Sequence, residues 1–291
     1  NQRLPAIEMD GSGFVHLVYT SDWHDGVSGD DEIYVESSFD GGAVWWSGGR
    51  ITFFAGLSTT PAITLNLRGT FEVAWSDSRD GPMGVYYESL PVSRRVSHQS
   101  GASDRPSVVV DSAGTSHIIW TDEREGFRAV YFARYDKNGK PTGAGKRLTD
   151  PNDDPLGPVI AVGPDNVVYI AYARWTSDWN YLLWGKKSLD GGSTWVNLPV
   201  PPLYIYTSDY TSPVDRAIPI DIAVTWTNEI HLAFTWFDDT SYLRMQQQES
   251  LIHARSSNGG GTWSWTWPYM ETYAYPGYDH YNKVRFPKVA K

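Results

Sequence analysis

The sequence predicts an all-β fold, a β-propeller of four-stranded antiparallel blades, from its composition and from an internal repeat. The 291 residues include 14 Trp, 18 Tyr, 10 Phe and 27 Gly. Aromatic and β-branched residues between frequent turn formers favour strands. No segment shows a sustained 3.6-residue apolar period, so helices are not expected. Instead, a Pro-led apolar run, a turn and an alternating run recur along the whole chain.

Each copy of the repeat contains four strand-like runs. The Pro-led runs are Leu4–Ile7, Pro61–Ile63, Pro106–Val110, Pro158–Val162 and Pro219–Ala223, and the alternating second runs are Val15–Tyr19, Phe71–Trp75, His117–Trp120, Val168–Tyr172 and Glu229–Phe234. The third runs are Glu32–Ser37, Val85–Ser89, Ala129–Arg134, Leu182–Lys187 and Leu251–Arg255, and the fourth are Arg50–Phe53, Arg94–Ser97, Lys146–Thr149, Val196–Pro199 and Trp263–Trp267. Four short strands every ~45–65 residues are typical of propeller blades.

These copies predict one propeller domain over residues 1–291. The blades are expected at about 1–55, 56–100, 101–150, 151–205 and 206–270, with their Pro-led strands lining the central axis. Residues 271–291 are predicted to hold an insertion and, at Lys283–Ala290, the opening strand of a sixth blade. A six-bladed ring whose last blade is missing is the preferred interpretation, and a five-bladed ring with one extra strand is the alternative.

Composition excludes several classes of function. The formal net charge is −10, from 24 Lys+Arg and 34 Asp+Glu, so no nucleic-acid partner is expected. The absence of cysteine excludes disulfide scaffolds, thiolate zinc sites and cysteine nucleophiles. No apolar run approaches the ~20 residues that span a bilayer. The chain begins with Asn1 and shows no signal peptide, which predicts a processed or excised segment.

A second repeat lies between the third and fourth strands. The copies read Ser-x-Asp-x-Gly-x-x-Trp or close to it, with key residues Asp40 and Trp45, Asp190 and Trp195, and Asn258 and Trp263. Ser and Asp side chains satisfy turn amides, Gly adopts positive φ, and Trp is expected to pack beneath the hairpin. This pattern resembles the Asp-box (BNR) repeat of sialidase-like β-propellers. In that family the motif stabilises turns away from the active face, so a structural role is implied.

The resemblance also implies a candidate site. Sialidases of the family hold a carboxylate with three arginines and use an Asp acid/base and a Tyr nucleophile assisted by Glu. Arg3, in Gln2-Arg3-Leu4-Pro5, loosely matches the first arginine, and Asp30 or Asp31 matches the acid/base. Arg105, Arg216 and Arg285 also stand near Pro-led runs, so Arg3 is alternatively a residue of the repeat. No Tyr/Glu pair can be matched, which indicates an incomplete site.

Loops hold the remaining candidates. Asp/Arg pairs follow two second strands, in Ser76–Gly81 and Thr121–Gly126, and are predicted to be structural turns, with ligand contact as the alternative. No cofactor is expected. The Asp22–Glu32 loop has the oxygen ligands that calcium prefers, but a solvated acidic loop is favoured. Loop aromatics suit either sugar stacking or blade packing; they are Trp23, Trp175, Trp179, Tyr204, Tyr206, Tyr210, Tyr273 and Tyr278.

Three functions remain open at this point. The first is a glycan-recognising extracellular or cell-surface propeller with a sialidase-like but incomplete site, in which Arg105, Arg216, Arg285, Trp23, Trp179 and Tyr278 would contact the ligand. The second is an exo-sialidase or related glycoside hydrolase. The third is a non-catalytic scaffold that binds protein partners in a surface assembly. Fold alone does not decide among them.

Overall fold

The described residues form an all-β fold of five antiparallel blades that follow one another along the chain. The computed structural model describes residues 2–22, 31–66, 68–89, 92–98, 100–176, 181–201, 204–205, 220–238 and 246–274. Within those ranges the chain forms strands, turns and loops and no helix, so the described part contains no helix able to cross a membrane. The predicted opening strand of a sixth blade, Lys283–Ala290, lies outside them.

Each blade is a meander in which consecutive strands pair, so the sheet order equals the chain order. The first three blades are β1 (Gln2–Met9), β2 (Val15–Ser21), β3 (Glu32–Ser38) and β4 (Trp46–Arg50); β5 (Ser58–Leu65), β6 (Phe71–Asp77), β7 (Gly84–Ser89) and β8 (Val92–Arg95); and β9 (Ser103–Val110), β10 (Ser116–Asp122), β11 (Ala129–Tyr135) and β12 (Pro141–Arg147). The last two are β13 (Leu156–Val162), β14 (Val168–Trp175), β15 (Tyr181–Ser188) and β16 (Val196–Asn197), with β17 (Tyr204–Ile205) also on β15; and β18 (Ile220–Val224), β19 (Ile230–Asp238), β20 (Gln246–Ser256) and β21 (Ser264–Ala274).

The predicted first, second and third strands are confirmed within a few residues, but the fourth strand of the first blade was predicted in the wrong place. The apolar run Arg50–Phe53 suggested a strand, whereas β4 lies before it at Trp46–Arg50. Pairing with β3 decides the position: a Cβ on Gly48 would lie 2.8 Å from Val35 Cγ1, so only glycine lets the two backbones approach there. The run after β4 is a loop.

A bulge recurs in the first strand of the first four blades. The residue before the proline has positive φ in each case: Leu4 (52°), Thr60 (49°), Arg105 (54°) and Gly157 (55°). At each of these positions the X-Pro pair faces one large aromatic residue of the second strand, and the register shifts there. Proline has no backbone N–H and was therefore expected at the start of the strand. The bulge interrupts the hydrogen-bond ladder, so the proline is tolerated inside the strand.

The chain divides into two compact units, residues 1–151 and 152–291. The first unit contains three blades, and its apolar clusters join neighbouring blades: Val18 and Val35 pack with Ile63, and Tyr87 packs with Val108 and Ile118. In the second unit, Ala171 and Leu183 pack with residues of β18 and β19 in one cluster. Burial between consecutive sheets is therefore what stabilises each unit.

Candidate functional site

The candidate site lies in the first unit, at the end of the blades where the first strands begin and the second strands end. We call this end the arginine edge. The arginines described there are Arg3, Arg50, Arg79, Arg95, Arg105, Arg124, Arg128 and Arg147, and their carboxylate partners are, in the same order, Asp31, Glu32, Asp77, Asp80, Asp104, Asp122, Glu123 and Glu125. Strand order explains the clustering, because the start of each first strand and the ends of its neighbours meet at one edge.

The structure brings together two of the predicted site residues, Arg3 and Asp31. Arg3 opens β1, Asp31 immediately precedes β3, and the Arg3 guanidinium donates a hydrogen bond to Asp31 Oδ2. Asp22 Oδ2 lies 3.8 Å from the same guanidinium. The Arg3 side chain is 41% exposed and that of Asp31 15%. The pair therefore presents donors and acceptors side by side to solvent.

Arg3 and Arg105 occupy different positions of the repeat. Arg3 pairs with Thr20, and the register places Asp104 of the third blade at the matching position, opposite Thr121. Arg105 instead lies at the bulge, one residue later. Its Nε is 3.6 Å from Asp104 Oδ2, while Asp104 Oδ1 accepts a hydrogen bond of 2.8 Å from Ser76 Oγ of the second blade. Within these three blades, Arg3 is thus not a repeated arginine, and Arg105 belongs to a contact between blades.

The Asp/Arg pairs that follow the second strands form buried structural turns, as predicted. Asp122 is 1% exposed and accepts hydrogen bonds from Trp120 Nε1 (2.9 Å), Ser103 Oγ (2.9 Å) and Arg124 Nε (2.8 Å). Burial would raise the pKa of Asp122, but the hydrogen bonds from Arg124 and Trp120 outweigh it and hold that pKa below its ordinary value. Asp77, Trp75, Ser58 and Arg79 repeat the same arrangement in the second blade.

Glu32 was predicted only as the end of the acidic Asp22–Glu32 loop and the start of a strand, but it is a residue of the arginine edge. It opens β3, is 5% exposed, and accepts hydrogen bonds from Arg50 Nη2 (2.7 Å) and from the Thr52 hydroxyl. Burial raises its pKa. Ser58 Oγ lies 3.5 Å from Glu32 Oε2 and donates to Asp77 Oδ2 at 3.0 Å, so two buried carboxyl groups flank one hydroxyl. A single Glu at the start of a strand gives no sequence pattern that could have identified it.

The charges described at this edge are paired. Every arginine described there has a carboxylate within 4.0 Å. Ion pairs reduce the net field that a distant anion experiences. The described part of the edge therefore suits an uncharged, hydroxyl-rich ligand better than a carboxylate alone.

The Ser-x-Asp turns lie at the opposite end of the blades. Asp190 Oδ1 accepts hydrogen bonds from Thr194 N (2.8 Å) and Ser188 Oγ (2.8 Å), which hold the pKa of Asp190 well below its usual range. Asp40 and Asn258 accept the matching hydrogen bonds in their turns, from Val44 N and Thr262 N. The tryptophans of these turns do not all pack in the same way. Trp45 is 39% exposed. The indole N–H of Trp263 donates a hydrogen bond outside its own turn, to Pro199 O at 2.5 Å. Trp195 Nε1 donates within its own turn, to Gly192 O at 3.1 Å.

Several predicted residues lie outside the described ranges: Trp23, Asp30, Trp179, Arg216, Tyr278 and Arg285. Most of the Asp22–Glu32 loop also lies outside them, so calcium binding by this loop stays a prediction. Among the residues that are described, no group of three or more His, Cys, Asp or Glu side chains is arranged to hold a metal ion. Trp175 was predicted to be a loop aromatic but is the last residue of β14, where it packs edge-to-face on Tyr181 of β15 with centroids 5.1 Å apart.

A histidine pair stands out in the second unit, away from this site. His231 on β19 and His253 on β20 are diagonal neighbours, since His231 pairs with Arg255 and Ala233 with His253. Their rings stack with centroids 5.1 Å apart, and His231 Nδ1 lies 2.9 Å from His253 Nε2. Glu229 Oε2 is 3.9 Å from His231 Nε2, and Arg255 donates a hydrogen bond to the other carboxylate oxygen, Glu229 Oε1. Burial and the neighbouring His253 lower the pKa of His231, which disfavours a doubly charged pair.

We expect this pair to make the protein less stable below about pH 6.5, the ordinary histidine pKa. Because the folded-state pKa of His231 is depressed, its contribution is complete above that pH, and stability falls as the pH drops towards the folded pKa. The melting temperature should decrease by a few degrees between pH 7.5 and 5.5, measured by circular dichroism. His231→Gln, which removes the ring whose pKa is lowered, should flatten that decrease. An unchanged pH profile in the variant would contradict the prediction.

Comparisons with known proteins agree with the fold. No protein-family model and no curated protein matches the sequence. Among solved structures, a Hadza microbial sialidase aligns with a TM-score of 0.57 and 14% identity over 93% of this chain. The chain spans 58% of that sialidase.

Two further matches are an α-L-arabinanase and an α-L-arabinofuranosidase. An α-L-arabinanase of Penicillium chrysogenum, solved with arabinobiose, aligns with a TM-score of 0.58 and 14% identity over 91% of this chain and 80% of its own. A Fusarium graminearum α-L-arabinofuranosidase, also with arabinobiose, gives a TM-score of 0.60 and 11% identity over 99% and 83%. At these identities the likeness concerns the fold, and these enzymes differ in their sugars.

Proposed function

We propose that this protein is a glycan-recognising propeller that binds its ligand at the arginine edge of the first unit. The observation that carries the proposal is the Arg3–Asp31 pair, in which the Arg3 side chain is 41% exposed. A guanidinium beside a carboxylate offers hydrogen-bond donors and acceptors at one point, which is what neighbouring sugar hydroxyls require. The carbohydrate-active structures that share the fold support this class of ligand. The proposal involves no cofactor, and it includes a secreted or cell-surface location, which fractionation of the source cells would test.

A glycan array tests the proposal directly. We expect the wild-type protein to bind a restricted set of glycans and Arg3→Ala to weaken that binding at least tenfold, because Asp31 loses its partner and the ligand loses its donors. Arg68→Ala is the matched control, since Arg68 is an exposed arginine on the turn at the opposite end of the second blade. A flat response across all glycans would rule the proposal out and leave the scaffold function.

An exo-sialidase is the second candidate, favoured by one observation: Arg3 and Asp31, the two residues matched through the family resemblance, are in contact. The described residues supply no matched Tyr/Glu nucleophile. Release of the fluorophore from 4-methylumbelliferyl sialoside, abolished by Asp31→Asn, would establish hydrolysis. Glycan binding without such turnover would support recognition alone.

A further inference from the structure

We infer that Phe53 and Phe54, in the loop between β4 and β5, form a stacking platform for the apolar face of a neutral sugar ring. The inference deepens the proposed function and rests on it, because it adds a subsite beside the Arg3–Asp31 pair. A backbone hydrogen bond connects the loop that contains Phe53 and Phe54 to the Arg3–Asp31 pair. The loop ends at Ser58, whose amide donates to Asp31 O at 2.7 Å. A ligand that contacts both would be an oligosaccharide.

Both phenyl rings are held in place while remaining open to solvent. Phe53 is 69% exposed and Phe54 57% exposed. The Arg79 guanidinium lies 4.1 Å from the Phe54 centroid and 4.3 Å from that of Tyr86, so it stands between the two rings. Arg50 lies 5.1 Å from the Phe53 centroid. Cation–π contacts fix the rings from the protein side and leave ring surface available to a ligand.

The loop itself is anchored to the second blade. Leu57 N donates to Ser78 Oγ at 2.8 Å, and Ser78 N donates to Leu57 O at 3.0 Å. Gly56 has φ +121°, and a Cβ there would lie 2.9 Å from Ser78 Oγ and 3.1 Å from Arg79 N. Only glycine permits this close approach. The platform is therefore preorganised, which lowers the entropic cost of binding.

The next copy of the same loop shows that the fold does not require the two rings. Gly101 corresponds to Gly56. Gly101 has φ +81°, and a Cβ added to it would lie 2.6 Å from Arg124 N. Ser97 matches Thr52, and each hydroxyl accepts an amide hydrogen bond of 2.9 Å from the third strand. At the position of Phe53 this copy has exposed His98, and the sequence places Gln99, outside the described residues, at that of Phe54.

The stack beneath the platform is likewise independent of Phe54. In the third blade, Arg124 lies 4.0 Å from the Tyr131 centroid, close to the 4.3 Å between Arg79 and Tyr86, and no phenylalanine stands at the matching loop position. Neither the loop nor the stack requires the two exposed rings. Exposed apolar rings lower solubility, and here they add nothing to the stability of the fold. This difference between the copies points to a ligand.

The paired charges beneath the two rings favour a neutral sugar as that ligand. The arginines under the rings are each neutralised by a buried acid, Arg50 by Glu32 and Arg79 by Asp77. No net charge therefore remains beneath the platform to attract a carboxylate or a sulfate group. The C–H face of a pyranose or furanose ring suits an aromatic surface, while its hydroxyls need polar partners such as the Arg3–Asp31 pair.

The test is isothermal titration calorimetry with defined neutral hexasaccharides (arabino-, xylo-, cello- and mannohexaose) and with 3′-sialyllactose. We expect at least one neutral hexasaccharide to bind, and Phe53→Ala/Phe54→Ala to weaken it at least tenfold. Phe53→His/Phe54→Gln, which copies the next loop, should weaken it equally with an unchanged melting temperature. Leu189→Ala is the control, because Leu189 is 72% exposed but lies on a Ser-x-Asp turn at the other end of its blade.

The outcomes separate this inference from the proposed function. Neutral-sugar binding that both phenylalanine variants retain, or binding of sialyllactose alone, would overturn the platform while leaving glycan recognition intact. Loss in the phenylalanine variants with full binding in Arg3→Ala would support the platform and contradict the Arg3–Asp31 site. No binding by any probe and a flat glycan array would overturn both.

Discussion

Replacing Asp122 with alanine is expected to lower the free energy of unfolding of the first unit by about 3–5 kcal/mol. The carboxylate is 1% exposed and accepts hydrogen bonds from an indole, a hydroxyl and a guanidinium. Its removal leaves the largely buried Arg124 cation and the Trp120 N–H without their acceptor. An uncompensated buried charge costs much more than the net gain from the pair that contained it.

Urea unfolding measures the free energy of unfolding of Asp122→Ala, and two further variants are compared with it. Asp122→Asn keeps an acceptor oxygen but not the charge, so its effect should lie between those of wild type and Asp122→Ala. Glu123→Ala is the matched control: Glu123 is the next residue, its side chain is 48% exposed, and it pairs with Arg128 at 3.5 Å. Exposed pairs contribute about 0–1 kcal/mol. Equal losses in Asp122→Ala and Glu123→Ala would mean that the buried pair is not a stability determinant.

The fold was predictable because its signals repeat. Pro-led runs and alternation of apolar residues recur in all five copies, and the Ser-x-Asp turn recurs in three of them, so a weak signal in one copy is supported by the others. The first blade's fourth strand was missed because outer strands bury little and need no apolar pattern: Trp46 is 63% exposed, and β4 contains Gly48 and Gly49. The apolar residues that suggested a strand, Phe53 among them, are exposed in the loop instead.

The candidate site was predictable only where the sequence contained a motif. The Asp/Arg turns were recognised because they recur, and Arg3 and Asp31 were found through a family resemblance. Glu32 is a single polar residue in a strand, and its environment comes from Arg50, Thr52 and Ser58. Such environments arise from tertiary packing between blades, which local sequence does not encode.

A second large effect is expected at Glu72, a carboxylate that joins the second and third blades. Glu72 lies on β6 and is 3% exposed. Its Oε2 accepts hydrogen bonds of 2.5 Å from Tyr87 OH and 2.5 Å from Ser116 Oγ of the third blade. Burial and the adjacent Glu72 charge raise the pKa of Tyr87, so the phenol remains a donor. Glu72→Ala should cost about 3 kcal/mol, because hydrogen bonds to charged acceptors contribute roughly 1.5–3 kcal/mol each.

A double-mutant cycle distinguishes the contact between blades from those within the second blade. Ser116 lies on β10 and Ser89 on β7; Ser89 Oγ is 3.3 Å from Glu72 Oε1, a longer and weaker hydrogen bond within one sheet. We expect a coupling energy of about 1–2 kcal/mol between Glu72→Ala and Ser116→Ala, and a smaller one with Ser89→Ala. Urea unfolding of wild type, the three single variants and the two double variants gives both values. Coupling to Ser89 as strong as that to Ser116 would show that Glu72 acts within its own sheet and does not hold the two blades together.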